Sequence, residues 1–159
     1  MKPLSEFSRS EKITGVAGIL LLIGIFAFPW YYVGVAGVTV AGHTYGGGSY
    51  STNALQGPGS FFSILALIVL IALLAELVIS RFTNAELPSL PISWGTAELY
   101  GGIAVLALLV IKILFHIGNF GWGFYGDMLL AIVLVYGVTG LSRGRATRPA
   151  HGAAAQPGN

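Results

Sequence analysis

Four apolar runs constrain this chain more than any other feature: Ile13 to Trp30, Phe61 to Ile79, Ala97 to Ile117 and Phe124 to Leu141. Each comes close to the roughly 20 residues that carry a helix across a bilayer. The 159 residues accommodate four such spans with their connections, and not six. Only 9% of the residues are charged and 55% are hydrophobic, whereas about a quarter of a soluble domain is charged. The expected fold is all-α and membrane-integral: a four-helix transmembrane bundle forming one domain, 1–142, followed by a disordered tail, 143–159. A signal peptide is the competing reading of the first run, because Lys2, Arg9 and Lys12 precede Ile19 to Phe28. The length of that run, its Phe28-Pro29-Trp30 end and the missing A-x-A site favour a retained span.

Composition and motifs then exclude several functions. With no cysteine, the chain has no disulfide, no thiolate metal site and no thiol redox chemistry. The net charge of +2 comes from eight Lys plus Arg against six Asp plus Glu, and the basic residues gather near the chain ends, which argues against nucleic acid as a partner. Hydrolase, kinase, P-loop, HExxH and haem-attachment patterns are absent, as is a nucleophile beside a base. No enzyme activity and no cofactor are therefore expected. No period repeats across the spans, so a transporter built from internal repeats gains no support.

Orientation follows from the basic residues, which accumulate on cytoplasmic flanks. Lys2, Arg9 and Lys12 precede span one, Arg81 follows span two, and Arg143, Arg145 and Arg148 follow span four. Segments 31–60 and 118–123 hold none. Both termini are predicted to be cytoplasmic in a multi-pass protein of the plasma membrane. Trp30, Trp94 and Trp122 fall at span ends, where amphipathic rings anchor a helix at the interface. Apart from the bilayer itself, the three tail arginines could touch anionic lipid, or simply set topology.

The one sizeable outer segment, 31–60, has no formal charge with His43 neutral. Val38-Thr39-Val40 has strand character, Ala41-Gly42-His43 can turn, and Thr44-Tyr45 can return, which predicts a small β-hairpin. Such a hairpin is marginal alone in water and needs the helix ends or a partner. Tyr31, Tyr32, His43, Tyr45, Tyr50 and Asn53 are the candidate contact residues of this loop. The inner connection, Ser80 to Thr96, carries Pro88 and Pro91 and cannot be helical throughout.

Ionisable residues inside a span are costly and invite a functional hypothesis. Lys112 and Asp127 lie at matching depth, each about 7–8 Å inside the outer interface at 1.5 Å per residue, on two helices joined by a tight connection. An ion pair between them is expected, fixing the rotation of both helices. His116 stands one turn above Lys112, and Tyr125 is placed to cover the pair. The alternative is an outward-opening polar pocket for a headgroup, a quinone-like ring or an anion. A metal site from His43, His116 and Asp127 is the remotest option, because nothing specifies their spacing. Glu76, about one turn from the cytoplasmic end of span two, is read as near water or a basic flank such as Lys12 or Arg143, with a proton-coupling carboxylate as the sharper alternative. Glu98 is read as structural, in the first turn of span three behind Ser93 and Thr96. Small residues recur on every span, among them Gly15, Gly18, Gly24, Ala66, Gly101, Gly137 and Gly140, and permit close backbone approach within a bundle or oligomer.

Taken together, Ile13-Thr14-Gly15-Val16-Ala17-Gly18 opening a span that ends Phe28-Pro29-Trp30-Tyr31, Ser51-Thr52-Asn53-Ala54 before span two, Lys112 late in span three, Tyr125-Gly126 opening span four and Gly137 to Gly140 near its end resemble a group of small four-span membrane proteins abundant in actinobacterial genomes. That resemblance implies a plasma-membrane location and no particular activity. The plan of four spans with a strand-bearing first outer loop is also loosely similar to claudins, without their paired loop cysteines. The leading expectation is an accessory, scaffold or interaction subunit that meets a protein partner or itself through the outer loop and small-residue helix faces. The alternative is a small transporter, channel or lipid- or quinone-binding protein that uses Glu76, Lys112 and Asp127.

Overall fold

The computed structural model describes residues 7–82, 91–115 and 117–146. Four helices account for most of them: α1 (Arg9–Ala27), α2 (Ser60–Phe82), α3 (Trp94–Leu114) and α4 (Trp122–Ala146). Each is long and apolar enough to cross a membrane. Contacts run α1 to α4, α4 to α3, α3 to α2 and α2 to α1, so the helices close a ring, as in a four-helix bundle.

Local chemistry sets the helix ends. Ser8 caps α1 with a capping box, its hydroxyl accepting from the Glu11 amide while its own amide donates to the Glu11 carboxylate. That cap starts α1 four residues before the apolar run. Pro29 ends the helix early by holding Phe28 extended (φ −87°, ψ 142°). Ser93 caps α3, which puts Glu98 in the second turn rather than in the expected first. α4 runs on through Ala146, four residues into the segment expected to be a disordered tail. Residues 147–159 lie outside the described residues, as do 83–90 of the inner connection.

The bundle is inverted relative to a soluble one. Its core holds Leu21, Ile25, Leu70, Val105, Leu109 and Leu134, but also Thr14, Ser63, Glu76, Glu98, Lys112 and Asp127. The outward faces carry Val16, Ile19, Ile23, Ile64, Ile68, Ile71, Ile103, Leu129 and Ile132. Hydrocarbon is a good solvent for such a surface, and charged groups belong inside it. Close seams run between α1 and α4, where Gly137 packs on Thr14 and Gly140 on Ser10, while Gly18 receives Leu74 and Gly102 receives Val138. The small residues noted in the sequence thus serve contacts within the chain.

Between α1 and α2 the chain forms a β ribbon. Strand β1 (Tyr31–Val35) pairs antiparallel with β4 (Gly48–Thr52), and beyond them β2 (Val38–Val40) pairs with β3 (His43–Tyr45). At the tip Ala41 (φ 51°) and Gly42 (φ 79°) both have positive φ, as a type I′ hairpin requires. The tip hairpin lies where the sequence places one, whereas β1 and β4 are additional. At about 3.3 Å per residue the ribbon is on the order of 30 Å long. Its base is a third layer of pairing: Tyr31 bridges to Phe120, the Tyr32 amide donates to Asn119 O at 2.9 Å, and Gly121 N donates to Trp30 O at 2.7 Å. Backbone bonds therefore tie the ribbon to the α3–α4 connection.

Candidate functional site

The ribbon base rests on a buried polar cluster at its end of the bundle. Pro29 turns the chain at the end of α1, and Trp30 then drops into the bundle, with no exposed surface. Its amide donates to Thr52 O at 2.8 Å, so β4 holds the backbone while the ring points inward. The indole Nε1 donates to Asp127 Oδ2 at 2.6 Å. On the ring face lies the Lys112 ammonium, 5.6 Å from the Trp30 centroid and 5.6 Å from that of Tyr31. Lys112 Nζ also donates to Ala54 O at 2.5 Å and to Gln56 O at 3.3 Å.

Lys112 and Asp127 are both fully buried, yet they do not form the expected ion pair. Both reach the Trp30 indole and so lie at one level of the bundle, but azimuth decides contact. Lys112 leaves α3 on the side of the turn preceding α2, whose carbonyls it satisfies. Asp127 leaves α4 toward α1, where Gly24 provides the space: a Cβ at Gly24 would collide with Asp127 Oδ1. The indole serves both, its N–H reaching Asp127 and its face meeting the Lys112 ammonium. Oδ1 itself has no hydrogen-bond partner among the described residues.

Other candidates separate sharply. Trp30 is a core residue instead of an interface anchor, because its N–H finds a carboxylate partner inside. Trp122 (58% exposed, its ring 4.6 Å from that of Phe28) and half-buried Trp94 stay at helix ends. Tyr125 does not cover the pair; it faces outward at 63% exposure, because two residues before Asp127 its side chain leaves α4 on another face. His116 lies outside the described residues. His43 sits on the exposed ribbon tip, far from Asp127, and among the described residues no three His, Asp or Glu side chains gather to hold a metal.

Of the loop candidates, Tyr32, His43, Tyr45 and Tyr50 are exposed, whereas Tyr31 is buried and Asn53 is half-buried. Asn53 Nδ2 donates to Phe26 O at 2.9 Å and its Oδ1 accepts from Leu55 N at 3.1 Å. It is thus a clamp between α1 and the turn that serves Lys112. Burial pushes the Tyr31 phenol above its ordinary range.

Glu76 is buried elsewhere. With Glu98 and Trp94 it lines a groove of about 180 Å³ between α2 and α3, walled by Val69, Ala72, Leu73, Ala97 and Gly101. Glu98 precedes Lys112 by 14 residues of one helix, which is about 20 Å at 1.5 Å per residue. Glu76 is therefore no part of the cluster at the ribbon base. Sequence reasoning missed the central role of Trp30 and the carbonyls of Ala54 and Gln56; the signal available was the pairing of an extended Phe28-Pro29 with a Trp at cluster depth. No family model, curated protein or solved structure matches this chain.

Proposed function

We propose that this protein is a non-enzymatic subunit of the plasma membrane, with both termini in the cytoplasm, whose bundle holds an uncharged β ribbon outside for contact with a protein partner. The observation that carries the reading is the contrast between the ribbon and its base. Four segments, namely the α1 end, the 53–56 turn, α3 and α4, converge on Trp30 and fix the base. The strands beyond it are exposed almost throughout and bear Tyr32, Val35, Val38, Val40, Tyr45 and Tyr50 without one formal charge. A preorganised surface loses little entropy on binding, and exposed apolar side chains on so thin a ribbon gain from being covered. Transport through Glu76, Lys112 and Asp127 acting together has less support, since the first lies about 20 Å along the bundle from the others.

The test replaces residues 36–47 by Asn-Gly, which joins Val35 to Gly48 in a two-residue hairpin and leaves β1, β4 and the base intact. Purified from native membranes in mild detergent, the shortened protein should remain folded and lose the proteins that accompany the parent. Unchanged companions at unchanged stoichiometry would refute the reading.

A further inference from the structure

We infer that α4 meets a second copy of this chain inside the bilayer, with the Tyr136 hydroxyl at the contact. The inference goes beyond the role of the ribbon and shares with that reading only the placement of the helices across a membrane. Trp122 and Arg143 bracket the span of α4, 21 residues apart. At 1.5 Å per residue that is about 31 Å, the thickness of a hydrocarbon core. Tyr136 lies 14 residues beyond Trp122, so its Cα is about 21 Å from one boundary and about 10 Å from the other. Side chains on a helix lean toward its N-terminus. Since α4 starts at Trp122, the Tyr136 phenol is carried away from its nearer boundary and toward the bilayer centre. It is 68% exposed, and among the described residues its hydroxyl has no hydrogen-bond partner. Two other outward tyrosines escape this position. Tyr125 leans toward the boundary at Trp122, and Tyr100, on the antiparallel α3, leans back toward the boundary at Trp94. A hydroxyl stranded in hydrocarbon is costly, and a bond from a neighbouring helix removes that cost.

The stripe that carries Tyr136 selects the neighbour. Tyr125, Leu129, Ile132 and Tyr136 follow at intervals of four, three and four, and all are exposed. This is the a/d spacing of helices that pair in register. α4 packs on α1 and α3 through other faces, so the stripe is left over from the bundle. Copies inserted with one topology share direction and depth, and about a two-fold axis normal to the membrane each stripe residue meets its own counterpart. A phenol both donates and accepts, so one Tyr136 hydroxyl satisfies the other at a depth that identity alone fixes. An unrelated helix would need a polar group at that same level. The four residues carry no formal charge to repel a copy. Beside them Gly126 faces open space, whereas Gly137 and Gly140 are occupied by Thr14 and Ser10 of α1. A small residue on the free side permits close approach of a second helix. Association in lipid rests on packing and hydrogen bonds, so the large apolar area of a soluble interface is not its measure.

Because the chain contains no cysteine, introduced thiols report contacts between copies without background. Tyr125→Cys on the stripe and Phe61→Cys, exposed at the same end of the bundle on α2, are oxidised with copper phenanthroline in native membranes. Tyr125→Cys should give about fivefold more disulfide-linked product at twice the 16.7 kDa chain mass. The hydroxyl itself is tested in phosphatidylcholine vesicles, by energy transfer between purified copies labelled at an added C-terminal cysteine and diluted with lipid. Tyr136→Phe should raise the dimer dissociation constant about threefold to tenfold. Tyr125→Phe, which removes a hydroxyl near the interface, should leave it unchanged, and both variants keep the ring that packs. Equal disulfide yields from the two thiols, or a Tyr136→Phe dimer as tight as the Tyr125→Phe dimer, overturn the inference. The chain with residues 36–47 replaced by Asn-Gly should dimerise as the parent does; a dimer lost there and kept in Tyr136→Phe would place the contact on the ribbon and refute the α4 seam. A benzophenone amino acid at Ile132 should link to the same chain, and adducts with a different protein alone would refute the second copy.

Discussion

Breaking the indole–carboxylate bond offers the most direct probe of the buried cluster. Trp30→Phe removes the Nε1 donor and leaves an aromatic face for Lys112, stranding a carboxylate oxygen that now accepts at 2.6 Å with no exposed surface. A hydrogen bond to a charged group contributes about 1.5–3 kcal/mol, and a stranded buried acceptor costs about as much again as its lost partner gained. Some further loss comes from the smaller ring. Asp127→Leu strands the indole N–H instead. Since both singles forfeit one shared bond, the double variant should cost less than the sum, with a coupling of about 1.5–3 kcal/mol. The assay is equilibrium unfolding in mixed micelles followed by far-UV circular dichroism. Additivity within about 0.5 kcal/mol would refute the bond. The exchange Lys112→Asp with Asp127→Lys is a companion test. It should not recover stability, because a carboxylate at 112 would face the Ala54 and Gln56 carbonyls and a lysine at 127 would face Gly24. Full recovery would restore the ion-pair reading.

Three further outcomes are expected. Gly24→Ala should lower stability by about 1–3 kcal/mol through overpacking, and Asp127→Ala in the same chain should return part of that loss, since Asp127 Oδ1 is the obstructing atom; unfolding midpoints that show no return would count against the contact. Ala41→Asn should stabilise the tip by about 0.5–1 kcal/mol, because Asn tolerates positive φ better than Ala, with slower amide exchange at Val40 and His43 as the readout. Tyr31 should form tyrosinate only above the ordinary phenol range: its raised value means that its contribution is fully present below about pH 10 and is lost as pH climbs through the folded value. Tyr31→Phe should delete the late phase of a spectrophotometric titration.

Helix number and placement were legible because a bilayer demands long apolar runs whatever the packing. The ends were less so, since Ser8 and Ser93 act through caps of a single residue. Strands β1 and β4 escaped notice because Gly34, Ser49 and Ser51 dilute any β pattern; their pairing comes from a base anchored at Trp30 and Phe120, a long-range contact that local propensity cannot show. Depth along a helix can be counted, so Lys112 and Asp127 were placed at one level. Direction around the helix depends on which neighbour it packs against, and Trp30, assigned by its span-end position to the interface, was free to fill the space between them.

A charged residue buried in hydrocarbon surroundings is poor evidence of stabilisation, because apolar packing of equal volume commonly does as well. Its better-attested use is to specify one arrangement among several, and the cluster at the ribbon base has the form that such a use requires. Each of its partners comes from a different segment, and each can be satisfied only in one relative placement: Lys112 by two carbonyls of the 53–56 turn, Asp127 by an indole that follows α1, Asn53 by the last turn of α1. An all-leucine version of this site would tolerate rotation of α3 or α4 and tilting of the ribbon; this one penalises both by stranding a charge. Orientation of the ribbon is thereby coupled to the register of the helices below it.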